Sequence, residues 1–199
     1  MTRLPLQFSI QAAVPEDCPA LYRLMTDTAF SVQNKDWFFP DSLEFIKTHI
    51  KDRGLILKAC PDGPKGGAGQ AARDSLAAFL LIRFPGPTED NLGTYLSLSG
   101  QELMQVAHME TVAVAAGFTG HGLQRKLLIE GEKAAAAAGY RHFMATVHPD
   151  NHYSLSNFQR LGYKVKTTGL APKGACWFAL ISYYHSKWFI SCFSLPAHP

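Results

Sequence analysis

The chain has 199 residues, 47% hydrophobic and 18% charged, with a formal net charge of +3. That balance suits one folded domain with a real core and argues against a disordered chain. The 19 lysines and arginines form no basic block, no apolar run approaches a bilayer's width, and MTRLPLQFSI lacks a signal-peptide core, so neither nucleic acid nor membrane is expected and the location read is cytoplasmic.

Phe8-Ser9-Ile10-Gln11-Ala12 alternates apolar and polar residues as a first strand. Pro15-Glu16-Asp17 then opens a helix carrying Leu21, Leu24 and Met25. Residues 32–40 connect onward through Trp37, Phe38 and Phe39, and Asp41 is read as the N-cap of a helix over residues 42–51. Leu43, Phe45, Ile46 and Ile50 mark the buried side of that helix, and Gly54 ends it. Residues 55–60 read as a strand, residues 61–73 as a glycine- and proline-rich mobile hairpin loop, and residues 76–84 as a buried strand. The connection over residues 85–107 is long, a length that is often functional.

A β-branched run, Thr111-Val112-Ala113-Val114, predicts the next strand. A turn with Gly117, Gly120 and Gly122 leads into a helix over residues 123–138, which Gly139 ends. Residues 142–147 form another strand. Asn151 caps a short helix that closes at Gly162, with Leu155, Phe158 and Leu161 inward. Residues 163–167 and 176–184 supply the last strands. No repeat or composition break divides the chain, so residues 1–199 are read as one domain with a tail over residues 185–199. Trp188, Phe189 and Ile190 make that tail apolar enough to pack on its own domain or to join two copies as a homodimer. The predicted class is α+β, with helices on both faces of a mixed central sheet. Cys18, Cys60, Cys176 and Cys192 fit no metal-ligand spacing, so reduced thiols and no metal are expected.

The strand, glycine turn and helix start over residues 110–124, ETVAVAAGFTGHGLQ, have the layout of a phosphate-holding device, a layout that a purely structural tight turn shares. Glycines admit close backbone approach, and first-turn amides face an anion with the macrodipole behind them. A dinucleotide fingerprint does not fit, because Gly117, Gly120 and Gly122 reverse its spacing. A P-loop does not fit either, because Leu123 and Gln124 stand where Lys and Ser or Thr belong.

The stretch VAVAAGFTGHGLQRKLL resembles motif A of the GNAT superfamily of acyl-CoA-dependent N-acyltransferases. Gly120 and Gly122 match the motif's glycine turn and Phe118 its aromatic residue. ATVHPDNHYSLSNFQRLGY resembles motif B, a strand, then Asn, then a helix ending in Gly-aromatic. The span over residues 107–167 is similar to bacterial-type members carrying H-M-[DE]-x-V-x-V and A-T-V-H-P-D-N-x-x-S, which supplies no acceptor. Departures are Ala116 for the usual Pro, Thr119 for Gln or Arg, and Gln124 for the final Gly or Ala. The resemblance implies a mostly antiparallel sheet whose fourth and fifth strands part to admit acetyl-CoA as co-substrate. It implies that Val112, Ala113 and Val114 meet the pantetheine arm, and that Thr119, Gly120, His121, Gly122, Leu123 and Gln124 hold the pyrophosphate. Asn151 and Ser154 are expected beside that arm.

Acyl transfer to an amine needs a neutral nucleophile, and freeing an amine of pKa near 10 at pH 7 costs roughly 4 kcal/mol. A thiol leaving group departs readily as thiolate, so a base matters more than an acid. Glu110 is the expected base, facing the acceptor's entrance if it alternates with Thr111. The family's usual acid, a Tyr, is replaced by Phe158, which leaves Tyr153, with Ser154 and His121 also near in sequence, as the candidate acid, and direct thiolate departure as the alternative. Trp37 and Phe38 are expected to line the acceptor pocket. The acceptor is a small-molecule or peptide amine, and an acidic pocket for it would require Asp36, Asp41, Glu89 and Asp90 to converge. His108 and His148 are read as strand-end residues. A non-catalytic acyl-CoA-binding module on the same fold is the rival reading.

Overall fold

A computed structural model describes residues 6–62, 76–170 and 176–183. The described residues form seven strands: β1 Phe8–Ala12, β2 Gly54–Pro61, β3 Ala78–Arg83, β4 Val106–Val114, β5 His142–Val147, β6 Lys164–Leu170 and β7 Cys176–Tyr183. The α-helices are α1 Cys18–Ser31, α2 Leu43–Lys51, α3 Gly100–Leu103, α4 Leu123–Ala137 and α5 His152–Arg160. One sheet runs in the order β1-β2-β3-β4-β5-β7-β6, antiparallel at every pair except β4 with β5. This is the α+β layout that the alternation of elements predicts.

Alternation along β3 divides the core between the two faces. Leu80 and Ile82 point to α4, where Leu123, Leu127 and Leu128 join Ala107 and Met109 of β4. Phe79 and Leu81 point the other way, to Leu21 and Met25 of α1 and Ile46 of α2. Two glycines permit close layers. A Cβ on Gly131 would lie 2.5 Å from Leu80 Cδ2, so α4 sits directly on β3. A Cβ on Gly54 would lie 2.3 Å from the Ile82 carbonyl oxygen, so this glycine opens β2 against backbone.

Several expectations change. Ser42, not Asp41, caps α2: its hydroxyl accepts from Phe45 N–H at 3.0 Å, which frees Asp41 for another partner. Gly54 starts a strand rather than ending a helix, because α2 stops at Lys51. The connection over residues 85–107 holds a 3-10 turn, Leu92–Leu96, then α3 and the first two residues of β4. Leu92, Leu96 and Leu98 pack there on Val106, Met144 and Ile181. Most of the loop read over residues 61–73 and the whole tail over residues 185–199 lie outside the described residues.

Candidate active site: a bulged strand beside an uncapped helix

The site is built on β4. Its first residues pair in parallel with β5, Val106 with His142, Ala107 with Phe143 and His108 with Met144, and there the pairing stops. Beyond that point β5 pairs only with β7, through Ala145, Thr146 and Val147, while β4 stays with β3. A wedge therefore opens between the C-terminal halves of β4 and β5, as the family resemblance implies. Its local cause is a bulge. Leu81 pairs with Thr111 and Ile82 with Met109, so Glu110 is an extra residue without a partner on β3. An extra residue bends its strand and interrupts the alternation of side chains.

Glu110 and Thr111 consequently share one face instead of alternating. Glu110 meets Arg83 and His108, Thr111 meets Asp41, and Ala113 packs on the α1 and α2 side. Val112 and Val114 turn to the α4 side and pack against its core cluster. The side-chain expectation for Glu110 rested on alternation with Thr111, and the bulge replaces that placement.

The Glu110 carboxylate is held firmly. Arg83 donates from Nε to Glu110 Oε2 at 2.9 Å and from Nη1 to Asp90 Oδ2 at 2.6 Å. Leu92 donates its backbone N–H to His108 Nε2 at 3.0 Å. A neutral imidazole accepting at Nε2 carries its proton on Nδ1, and that atom lies 3.5 Å from Glu110 Oε2. The 3.0 Å approach of Arg83 Nη2 to His108 Nδ1 is then a meeting of two donors, drawn together by the carboxylate they share. Burial pushes the Glu110 carboxyl up, but the His108 hydrogen bond and the Arg83 charge outweigh it and hold the group below its ordinary range. Asp41 goes the other way. Burial raises its carboxyl, the Thr111 hydrogen bond at 3.0 Å opposes, and the Glu110 charge reinforces. Asp90 and Asp41 thus reach this cluster, whereas Asp36 and Glu89 are exposed and take no part in it among the described contacts.

Past β4, Phe118 sits edge-on to Phe8 of β1 at 5.9 Å and His121 lies tilted on the same ring at 5.5 Å, so the turn is pinned to the sheet edge. Thr119 donates its hydroxyl to Ala116 O at 3.1 Å. Gly120 and Gly122 have φ of +81° and +70°, a conformation that disfavours any Cβ, and open space surrounds both. Gly122 occupies the N-cap position of α4 and offers no side chain to its first turn. The first amide bonded back to the turn is Lys126 N–H, to Gly122 O at 3.0 Å, so those of Leu123, Gln124 and Arg125 precede the helical ladder. The Gln124 side chain bridges two helices. Its amide donates to Ser154 Oγ at 2.9 Å and accepts from Asn157 Nδ2 at 2.8 Å, which ties α4 to α5. Asn151 caps α5 as predicted, accepting from Ser154 N–H at 3.1 Å.

Residues 70–163 match the family model described as Acetyltransferase (GNAT) family. Over that stretch, a little under half of the chain, the sequence matches the GNAT acetyltransferases. No curated protein matches it in sequence. Its fold is similar to that of Arabidopsis thaliana NAA60 solved in complex with acetyl-CoA, at 12% identity and a TM-score of 0.69, covering 89% of this chain and 99% of that one. The ribosomal-protein-S18-alanine N-acetyltransferase of Escherichia coli is similar at 16% identity and a TM-score of 0.60, covering 89% and 94%. Salmonella typhimurium yncA, solved with its cofactor acetyl-CoA, is similar at 14% identity and a TM-score of 0.63, covering 90% and 95%.

Phe158, which stands where GNAT proteins commonly have a Tyr acid, is 3% exposed and packs edge-on to Tyr163 at 4.9 Å. Tyr153 is 80% exposed on the first turn of α5, and its hydroxyl makes no hydrogen bond among the described residues. Phe38 joins the apolar cluster beneath α1 and α2, while Trp37 is half-buried with its indole N–H enclosed and unpaired. Among the described residues no group of three or more His, Cys, Asp or Glu is placed to hold a metal ion. No helix among them is long and apolar enough to cross a membrane. Arg83, His108 and Thr111 are the cluster members that sequence reasoning did not assign, and Asp41 and Asp90 were weighed there only as parts of an acidic acceptor pocket. Two signals pointed there: an arginine ending the apolar strand LAAFLLIRF, and the two-residue spacing of His108 and Glu110, which puts both on one face.

Proposed function

We propose that this protein transfers an acetyl group from acetyl-CoA to a primary amine of a small molecule or peptide by direct attack. The observation that carries the reading is the wedge between β4 and β5 lying beside an uncapped helix start with two left-handed glycines. In this reading, amides of Gly120, His121, Gly122, Leu123 and Gln124 receive the pyrophosphate, which favours a helix N-terminus. The unpaired edge of β4 at Val112, Ala113 and Val114 pairs with the amide-bearing pantetheine arm, extending the sheet as an added strand would. Asn151 and Ser154 border the arm from α5, with Gln124 holding them in register. The arm's thioester then arrives near Glu110.

Glu110, kept ionised by Arg83, makes the approach negative and attracts an ammonium group. With its proton affinity lowered, it works through water and as a fixed charge. Tyr153 in solvent is poorly placed as an acid, so the thiolate leaves directly. In this reading Trp37 and Phe38 line the acceptor pocket from the α1–α2 connection, Trp37 with its body rather than its enclosed indole N–H.

A thiol-release assay with acetyl-CoA across small amines, amino acids and peptides tests the reading. Acceptor-dependent release supports it, whereas binding without consumption over the whole panel would instead make the protein an acyl-CoA sensor. Glu110→Gln is expected to lower kcat by about 10²-fold or more with little change in acetyl-CoA affinity. Turnover of Glu110→Gln equal to wild type across pH 6–9 removes Glu110 from the mechanism.

A further inference from the structure

Two carboxylates meet at the β4 bulge, Glu110 within it and Asp41 bonded to the next residue, Thr111, and they are held in opposite ways. Glu110 is fixed by two donors on one oxygen, Arg83 Nε at 2.9 Å and His108 Nδ1 at 3.5 Å. Asp41 has a single partner, the Thr111 hydroxyl on Oδ2 at 3.0 Å, and its Oδ1 carries no hydrogen bond among the described residues. Thr111 is 6% exposed and is the first residue of β4 beyond the bulge. Asp41 therefore reaches β4 where its pairing with β5 has ended, on the face that also carries Glu110.

Freed from capping α2, the carboxylate is spanned between the α1–α2 connection and the opened strand. The titratable and charged groups that face it are Glu110 of β4, His49 of α2 and Arg83 of β3. Arg83 is committed to Glu110 and Asp90, and His49 Nδ1 lies 2.7 Å from Phe45 O.

We propose that Asp41 is the catalytic base, taking the proton from the acceptor's ammonium group, with Thr111 positioning it and Glu110 standing beside it as a fixed negative charge. This inference rests on the acetyl transfer proposed above. The Asp41 carboxylate takes one proton from R–NH3+ to give R–NH2 and a carboxylic acid. The amine lone pair forms the N–C bond to the thioester carbonyl carbon, and collapse of the adduct breaks the C–S bond. The second proton passes from nitrogen through water to the departing thiolate, and Asp41 returns its proton to solvent. Burial, which raises the Asp41 carboxyl, makes the first transfer less uphill, about tenfold for each unit gained. Glu110 is tuned the opposite way, and a pair pushed apart by its surroundings is the usual mark of divided roles.

The test combines a carboxyl titration followed by carbon-13 NMR with kinetics of two near-isosteric variants. In the wild type, Asp41 should titrate above Glu110, and Thr111→Val should move the Asp41 midpoint upward by removing the donor. A midpoint for Asp41 at or below that of Glu110 overturns the proposal, and this arm needs no acceptor. Asp41→Asn still accepts from Thr111, so it should fold, bind acetyl-CoA within about threefold of wild type, and lose about 10²-fold or more in kcat with the best panel amine. Thr111→Val should displace the ascending limb of the kcat/KM profile to higher pH, a shift that a merely structural contact would not produce. Asp41→Asn retaining kcat within threefold, or Glu110→Gln losing more than Asp41→Asn, overturns the assignment. A wild-type protein that does not bind acetyl-CoA defeats the proposed function instead, while the titration still decides the ordering of the two carboxyls.

Discussion

Arg83→Met tests whether the guanidinium organises the bulge. The Arg83 side chain is 14% exposed, its partner Glu110 28% and its partner Asp90 64%. Methionine keeps the stem and the length but leaves Glu110 with His108 alone. Breaking a fully buried pair costs about 3–5 kcal/mol and breaking a surface pair about 0–1 kcal/mol. Asp90 is largely solvated and Glu110 is partly exposed on β4, so a loss of about 1 kcal/mol at pH 7 is expected, or about 2–4 °C in Tm for a chain of this length. The sign with pH follows from the depressed Glu110 carboxyl. Its stabilisation is present above the ordinary glutamate value near 4.3 and is lost as pH falls through the lower folded value. The deficit of Arg83→Met should therefore shrink in acid. Asp41 contributes oppositely: its raised carboxyl stabilises the fold below the ordinary aspartate value near 3.9, and this is lost as pH rises through the folded value. Urea unfolding of both proteins at pH 7 and pH 3 measures the difference. A deficit under about 0.5 kcal/mol at pH 7, or one equal at both pH values, refutes the reasoning.

Gly54→Ala should destabilise by about 3 kcal/mol, because the new Cβ meets the Ile82 and His49 carbonyl oxygens, at 2.3 and 2.9 Å, and backbone cannot rotate away. An unchanged guanidinium midpoint would contradict that packing. Gln124→Ala removes two hydrogen bonds and leaves the Asn157 amide unpaired. A loss of about 1–2 kcal/mol is expected, with faster amide exchange in the first turn of α5. Exchange unaltered there would show that the two helices do not depend on this tie.

What could be read in advance depended on whether local chemistry was decisive. The strand His142–Val147 and the Asn151 cap were legible because β-branched composition and capping preference agree with burial at those positions. The glycine turn was legible because Gly120 and Gly122 do adopt positive φ. Asp41 and Ser42 are both good caps by residue type, and only the actual entry of α2 chooses Ser42. The bulge at Glu110 arises from the register of β4 on β3, and sequence spacing assumes regular alternation. That single extra residue changed which neighbours Glu110 and Thr111 meet. Gln124 was read through the family's phosphate turn, but a long amide side chain can also reach across to α5, and it does.

The central claim is that the bare amides at the start of α4 and the open edge of β4 together hold an acyl-CoA. Isothermal titration of the purified protein with acetyl-CoA tests it most directly, beside Gly122→Val, which forces a β-branched residue into a turn of φ +70°. The account predicts saturable heat with one equivalent bound and at least about tenfold weaker binding in the variant. A flat thermogram with the wild type, or equal affinity in the two proteins, would contradict it.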